Sequence, residues 1–359
     1  MKISCGLAPS LAIVEHAQLA ESLGYDRLWL YDSPAIYLDI WVSLARVAEH
    51  TDRIGLGTAV LVPSLRHVVA TAAAIASIEG AAPGRLACGF GTGATARWTL
   101  GKDAMTLRAT GDYLRQLRAL LRGEVVEVDG EQVQMCQLPG YAPPRPIDVP
   151  ILLSALGPKG QQLAREVANG IMTVGFGLGG FDWSAQLVVG TVLSPGEPLT
   201  SPRVKASAGP WYAILAHGAW ESLPGAADGF PGGAQWRAEL ESRRPETERH
   251  LAVHEGHATT VTDLDRILVD AAGDGIVGLG WVAEAEGIRT KLKESENAGT
   301  TEVIFAPSGP DIERELRAFA EVAAAVEPKR RASGEGVSYG GKPVAKWRDH
   351  SSRAPTPFP

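Results

Sequence analysis

Residues 53–93 constrain the fold more than any other stretch of the chain. Ile54 to Val62 is a nearly continuous apolar run closed by Pro63, the pattern of a strand buried on both faces of a parallel sheet. Val68, Val69, Ala72, Ala73, Ala76 and Ile78 then recur at helical spacing over too many residues for a strand. Pro83-Gly84 makes a turn into a second apolar strand, which ends in Gly89-Phe90-Gly91-Thr92-Gly93. Strand, loop, helix, turn and strand in this order form a βαβ unit. A glycine-rich loop at the end of its second strand lets backbone approach a ligand where α/β proteins place their sites.

The unit repeats along the chain. Ile3–Pro9 reads as strand one, with a helix over 11–23 that Ser10 can cap and Gly24 can stop. Asp26–Asp32 is strand two, followed by a helix over 39–50. After strand four a helix over 104–122 presents Leu107, Leu114, Leu117 and Leu121 on one face, and Asp129-Gly130 turns a short hairpin. Val149–Ser154 is strand five, Gly157-Pro158 opens a helix, and Gly170–Gly175 is strand six. Ala185–Val192 is apolar but ringed by glycine and proline and stays unassigned; Val204–His217 reads as strand seven. Residues 219–256 read as a helical insertion, with further helices over 263–271 and 282–298. Glu302–Pro307 is strand eight, and a helix over 312–326 closes the fold.

Eight strands alternating with helices predict an α/β chain folded as a (β/α)8 TIM barrel, with insertions after strands 4, 6 and 7. A doubly wound open sheet is the rival; the barrel needs no switch point in mid-sheet. The barrel domain is expected to span residues 1–327. Residues 328–359 differ in composition: Lys329, Arg330, Arg331, Lys342, Lys346, Arg348 and Arg353 face only Glu335 and Asp349. Such a basic, Pro/Gly-rich tail is usually solvated, although it could meet an acidic partner surface.

Composition narrows the function. A net charge of −7 argues against a nucleic-acid partner, whose phosphates need a basic face. No apolar run reaches membrane-spanning length, and Met1-Lys2-Ile3 enters a strand with no secretory pattern, so a cytoplasmic protein with no membrane partner is expected. Three scattered cysteines, Cys5, Cys88 and Cys136, suit neither a disulfide framework nor a zinc site. No histidine or carboxylate cluster has metal-ligand spacing along the sequence, so no metal is expected.

Gly57-Thr58-Ala59-Val60, Pro63, Arg66 and Gly91-Thr92-Gly93 stand in the order and spacing of the bacterial-luciferase-like superfamily of flavin and deazaflavin oxidoreductases, which the chain resembles, with gaps, from residue 3 to about residue 325. The closer resemblance is to the coenzyme F420-dependent methylenetetrahydromethanopterin reductase-like branch. It implies a barrel whose C-terminal mouth holds F420, or alternatively FMN, and a homodimer, since relatives are commonly dimers. It also implies a cis peptide at Ala59–Val60, bulging toward the ring and supporting one face of it. The resemblance implies hydride transfer between F420 and a small-molecule substrate, an organic compound that the sequence does not identify. An FMN-dependent, oxygen-using monooxygenase is the alternative, and a non-catalytic cofactor-binding barrel is a third reading from another class.

The resemblance nominates Asp32 and Ser33 as catalytic or cofactor-orienting, at the end of strand two. Relatives that oxidise glucose 6-phosphate carry histidine where this chain has Ser33. They also carry an acidic residue and an asparagine where it has Ala94 and Arg97, which argues against the same substrate and motivates the non-catalytic reading. Thr58, Ala59, Val60, Gly91, Thr92, Gly93 and Arg97 are expected around the cofactor. Ala155, Leu156, Gly157, Pro158 and Lys159, with Gly175, Phe176 and Gly177, form two turns where free N–H groups and a lysine could cradle a phosphate; tight barrel turns would use the same residues. Arg66 is expected to hold its loop, and His67 to cap or pack. Trp211, Trp220, Trp236, His217, His254 and His257 fall in the late segments, as an aromatic wall or as core.

Overall fold

The computed structural model describes residues 1–278 and 280–325. The basic tail expected over 328–359 lies outside them. Eight parallel strands close on themselves: β1 (Lys2–Leu7), β2 (Arg27–Leu30), β3 (Gly55–Leu61), β4 (Leu86–Phe90), β5 (Ile151–Ser154), β6 (Gly170–Val174), β7 (Ser184–Leu193) and β8 (Glu302–Ala306). Each pairs with the next, and β8 returns to β1 through Lys2↔Glu302 to Cys5↔Phe305. The fold is the expected (β/α)8 barrel.

Side chains alternate across the barrel wall with period two. Leu28 and Leu30, Cys88 and Phe90, Ile151 and Leu153, and Val303 and Phe305 pack outward against the helices. Trp29, Tyr31, Ala87, Leu152, Met172, Ala185, Leu187, Ile304 and Ala306 point inward and fill the barrel, making it a packed core and not a pore. At the lower end, buried Glu302 accepts from the indoles of Trp29 at 2.8 Å and Trp183 at 2.7 Å, so both aromatic N–H groups are satisfied.

Local signals explain most boundaries. Asp39 caps the helix Ile40–His50 by accepting from the N–H groups of Trp41 and Val42, and Thr106 caps Leu107–Arg122 through Ala109 N. Gly24 takes φ 80° past the first helix, while Asp129 and Gly130 take φ 53° and 87° in the hairpin turn. The expected Ser10 side-chain cap is not formed: the helix Ile13–Ser22 starts at Ala12 with no side-chain cap bond, and Ser10 contributes its carbonyl to Ile13 N.

Two expectations are corrected. Strand seven is Ser184–Leu193, and Val204–His217 lies inside the helix Pro202–Ser222. Ser201 caps that helix by accepting from Val204 N, with Pro202 in its first turn. Because β7 occupies the unassigned segment, residues 175–183 alone separate β6 from β7, and the insertion expected after strand six is absent. Insertions do follow β4 and β7. The first carries Leu107–Arg122 and the hairpin Val126–Val128/Glu131–Val133. The second forms a roof of helices Pro202–Ser222, Gly233–Arg243 and Arg249–Val253 around its own core, in which Trp236, Leu240 and Leu268 are fully buried. A short strand, Trp281–Glu284, pairs with the upper part of β7. No helix among the described residues is long and apolar enough to cross a membrane.

Candidate active site

A cavity of about 790 Å³ opens at the C-terminal mouth, above the packed interior of the barrel. That volume falls in the range of small-molecule sites, roughly 300–1,000 Å³. Its floor includes Tyr31, Gly91, Ser154, Val174 and Leu187; the roof contributes Trp211, His257 and Ala258.

Ala59 and Val60 project into one side of the cavity. The peptide bond between them is cis, as the resemblance implied, and the β3–β4 register shifts between Thr58 and Leu61. Thr58 itself is fully buried behind this ledge, its hydroxyl donating to Gly89 O at 3.0 Å. It supports the wall and does not line it. Gly91 and Gly93 have no room for a side chain: a Cβ at Gly91 would stand 2.7 Å from Val60 Cγ2, and at Gly93, where φ is 75°, 2.2 Å from Val62 Cγ1. These glycines let β4 and its loop lie directly against the ledge.

Asp32 and Ser33 are on the cavity wall and buried. Arg66 Nη1 donates to Asp32 Oδ2 at 2.6 Å, and Val62 N approaches the same oxygen at 3.4 Å. Arg66 Nη2 reaches Asp39 Oδ2 at 2.9 Å, so one guanidinium ties the loop after β2 to the next helix start, the holding role expected of it. Asp32 Oδ1 is buried and has no hydrogen-bond partner among the described residues. Burial pushes the Asp32 carboxyl above the usual carboxylate value, against the opposing pull of Arg66. Nearby, Tyr37 donates to His257 O at 2.5 Å, and burial raises its phenol well above the ordinary value.

Across the cavity, Ala155, Leu156, Gly157, Pro158, Lys159 and Gly160 bring in the N-terminus of the helix Pro158–Val167. Gly157 at its N-cap offers no side chain and makes no capping bond. A Cβ there would meet nothing within 4 Å. Early helical N–H groups lack intrahelical acceptors, and Lys159 adds a cation.

The second phosphate turn is corrected. Gly175, Phe176 and Gly177 are not on the cavity wall; Gly175 N is held by Leu187 O, and Thr173 donates to Phe176 O. A Cβ on Gly177 would strike Thr300 Oγ1 at 2.7 Å, so this loop runs down the outside of the barrel. Arg97 also leaves the cavity: Nη1 donates to Ser64 Oγ at 2.7 Å and Nε to Asp103 O, bracing the loop after β4. Thr92 does line it. His67 caps the helix Val68–Ala81, its Nδ1 accepting from Val69 N at 3.3 Å.

Sequence spacing missed one grouping. His217, His254 and His257 are buried together in the roof, with one ring nitrogen from each within 4.8 Å of the other two. Burial pushes His257 well below the ordinary imidazole value and His254 down as well. The His254-x-x-His257 pair was legible in the sequence, but its approach to His217 depends on how the roof helices pack.

Three comparisons bear on this geometry. A 5,10-methylenetetrahydromethanopterin reductase of Methanolobus tindarius is 34% identical over 172 residues, 46% of this chain and 50% of that protein. An F420-dependent glucose-6-phosphate dehydrogenase of Beutenbergia cavernae is 30% identical over 179 residues, 45% of this chain and 51% of that protein. The chain thus spans about half the length of the curated relatives it matches. The solved coenzyme F420-dependent tetrahydromethanopterin reductase of Methanopyrus kandleri superposes with a TM-score of 0.62 at 17% identity, covering 89% of this chain and 98% of that one, a likeness of fold. The luciferase-like monooxygenase family model matches residues 8–302, nearly the whole barrel from the end of β1 to the start of β8, and the chain belongs to that family.

Proposed function

We propose that this chain is an oxidoreductase that seats the deazaflavin F420 in the mouth cavity and exchanges a hydride between that cofactor and a small organic substrate. One observation carries the reading: a single cavity sets an apolar ledge, Ala59–Val60, against an uncapped helix N-terminus bearing Lys159, with the half-satisfied Asp32 on its wall. The ledge suits the face of a flat ring. The free N–H groups and Lys159 suit an anionic tail. When bound, the cofactor supplies the hydride-accepting or hydride-donating carbon; the protein supplies position, exclusion of water and electrostatics.

Asp32 is the group suited to a proton. Oδ2 is pinned by Arg66 while Oδ1 stays without a partner, so this oxygen can accept from a ring N–H or substrate hydroxyl, or carry a proton itself. Its raised value brings the change between these forms closer to neutrality. Ser33 lies beside it on the wall.

A luciferase-type monooxygenase using reduced FMN and oxygen is the second reading, favoured by the description of the family itself. The same ledge and helix end serve either cofactor. Spectral titration of the purified chain with oxidised and reduced F420 and FMN separates the two. Saturable F420 binding with substrate-dependent change at its absorption maximum supports the first; tight binding of FMN alone ends it.

A further inference from the structure

The roof histidines are held in a way that simple packing does not explain. His217 comes from the helix Pro202–Ser222, and His254 and His257 from the turn after Arg249–Val253. Each ring has a polar partner at its Nε2. His217 Nε2 is 2.9 Å from Asp265 Oδ1, His254 Nε2 is 2.8 Å from Glu221 Oε1, and His257 Nε2 is 3.3 Å from Thr95 Oγ1. Asp265 also accepts from Trp236 Nε1 at 3.1 Å and Thr262 Oγ1 at 2.9 Å, which marks it as an acceptor. A carboxylate can only accept, so Nε2 of His217 and of His254 carries hydrogen, and in the neutral ring the lone pair is on Nδ1. His217 Nδ1 is buried with no partner among the described residues. His254 Nδ1 faces His257 Nδ1 at 3.4 Å.

We propose that His217, His254 and His257 bind a divalent transition-metal ion of the zinc class through their Nδ1 atoms, with Asp265 and Glu221 orienting two of the rings. Zinc–nitrogen bonds of about 2.0–2.1 Å in a tetrahedral site put ligand nitrogens about 3.4 Å apart. The His254 and His257 Nδ1 atoms already stand at that separation, and one ring nitrogen from each of the three histidines lies within 4.8 Å of the other two. Carboxylate–histidine–metal chains of this kind fix the ring tautomer and strengthen the ligand. A dication also neutralises Asp265 and Glu221, neither of which pairs with lysine or arginine among the described residues. The three-nitrogen set leaves one tetrahedral position for water or another ligand. Because Thr95 holds His257 and Trp98 stacks on His254, the ion ties the roof to the short helix Ala94–Trp98 at the cavity mouth.

The test uses the full chain without an affinity tag, stripped with chelator, exposed to zinc, desalted and assayed by mass spectrometry for metal. One zinc per chain is expected, and cobalt in its place gives the visible absorption of a tetrahedral site. His217→Phe, which keeps a ring in the core without a ligand, loses the stoichiometric metal. Asp265→Asn weakens zinc roughly 10–100-fold while all three ligands remain, as loss of a ring-orienting carboxylate does elsewhere. A folded wild-type chain that takes up no stoichiometric zinc and gives no cobalt spectrum overturns the proposal. So does zinc retained unchanged in folded His217→Phe, which places the metal elsewhere.

Discussion

Replacing Arg66 by methionine isolates the electrostatics of the candidate site. In the native chain Arg66 bonds Asp32 at 2.6 Å and Asp39 at 2.9 Å, but the two contacts are unequal. The Asp32 side chain is 1% exposed and the Asp39 side chain 45% exposed. An exposed pair contributes about 0–1 kcal/mol. Removing one member of a buried pair costs about 3–5 kcal/mol, because a charge is left uncompensated. Arg66→Met is therefore expected to destabilise by about 3–5 kcal/mol near neutral pH, nearly all of it through Asp32. Chemical denaturation of Arg66→Met, Asp32→Asn and the double variant measures this as a coupling; with Asp32 neutralised, the Arg66→Met cost falls to about 1 kcal/mol.

The pH dependence has a fixed sign. Burial already raises Asp32 above its ordinary 3.8, and losing Arg66 raises it further. Between 3.8 and the raised value the native state holds a proton that the unfolded state has released. Stability of Arg66→Met then falls as pH rises through that window, by up to about 1.4 kcal/mol per pH unit, and recovers on acidification. An Arg66→Met cost that is the same with aspartate or asparagine at position 32, and flat with pH, would refute the reasoning.

Two other outcomes follow from the geometry. Gly93→Ala forces a side chain into φ 75° and to 2.2 Å from Val62 Cγ1, so a loss of about 2–4 kcal/mol is expected in denaturation, partly restored by adding Val62→Ala. Lys159→Ala, at the uncapped helix start, is expected to weaken binding of the proposed cofactor, F420, about 5–10-fold and flatten its dependence on salt while leaving thermal stability unchanged, as read by titration at two ionic strengths.

Legibility along the chain followed local pattern. Strands with an apolar run and a clear stop, such as Gly55–Leu61 before Pro63, could be read directly. Strand seven could not. Gly190 and the glycines and prolines on either side disguise Ser184–Leu193, whereas it is the closing strand of the barrel, pairing β6 on one side and β8 on the other. The helix Pro202–Ser222 carries Pro210 in its interior, where proline is unfavourable, although Ser201-Pro202 is a start signal. In the site, Asp32, the Ala59–Val60 ledge and the Gly157–Lys159 turn were legible because each stands at the C-terminal end of a readable strand. Arg97 and Gly175–Gly177 occupy similar positions in sequence but are drawn away by Ser64, Asp103, Leu187 and the Thr300 region.

Taken alone, the sequence determined the barrel, the end of it that carries the cavity and the family, since these rest on period, punctuation and ordered motifs within short windows. Tertiary structure decided which polar groups are left without partners. Asp32 Oδ1 and His217 Nδ1 are orphaned by packing between segments 30 or more residues apart, and no local pattern records such distant closure.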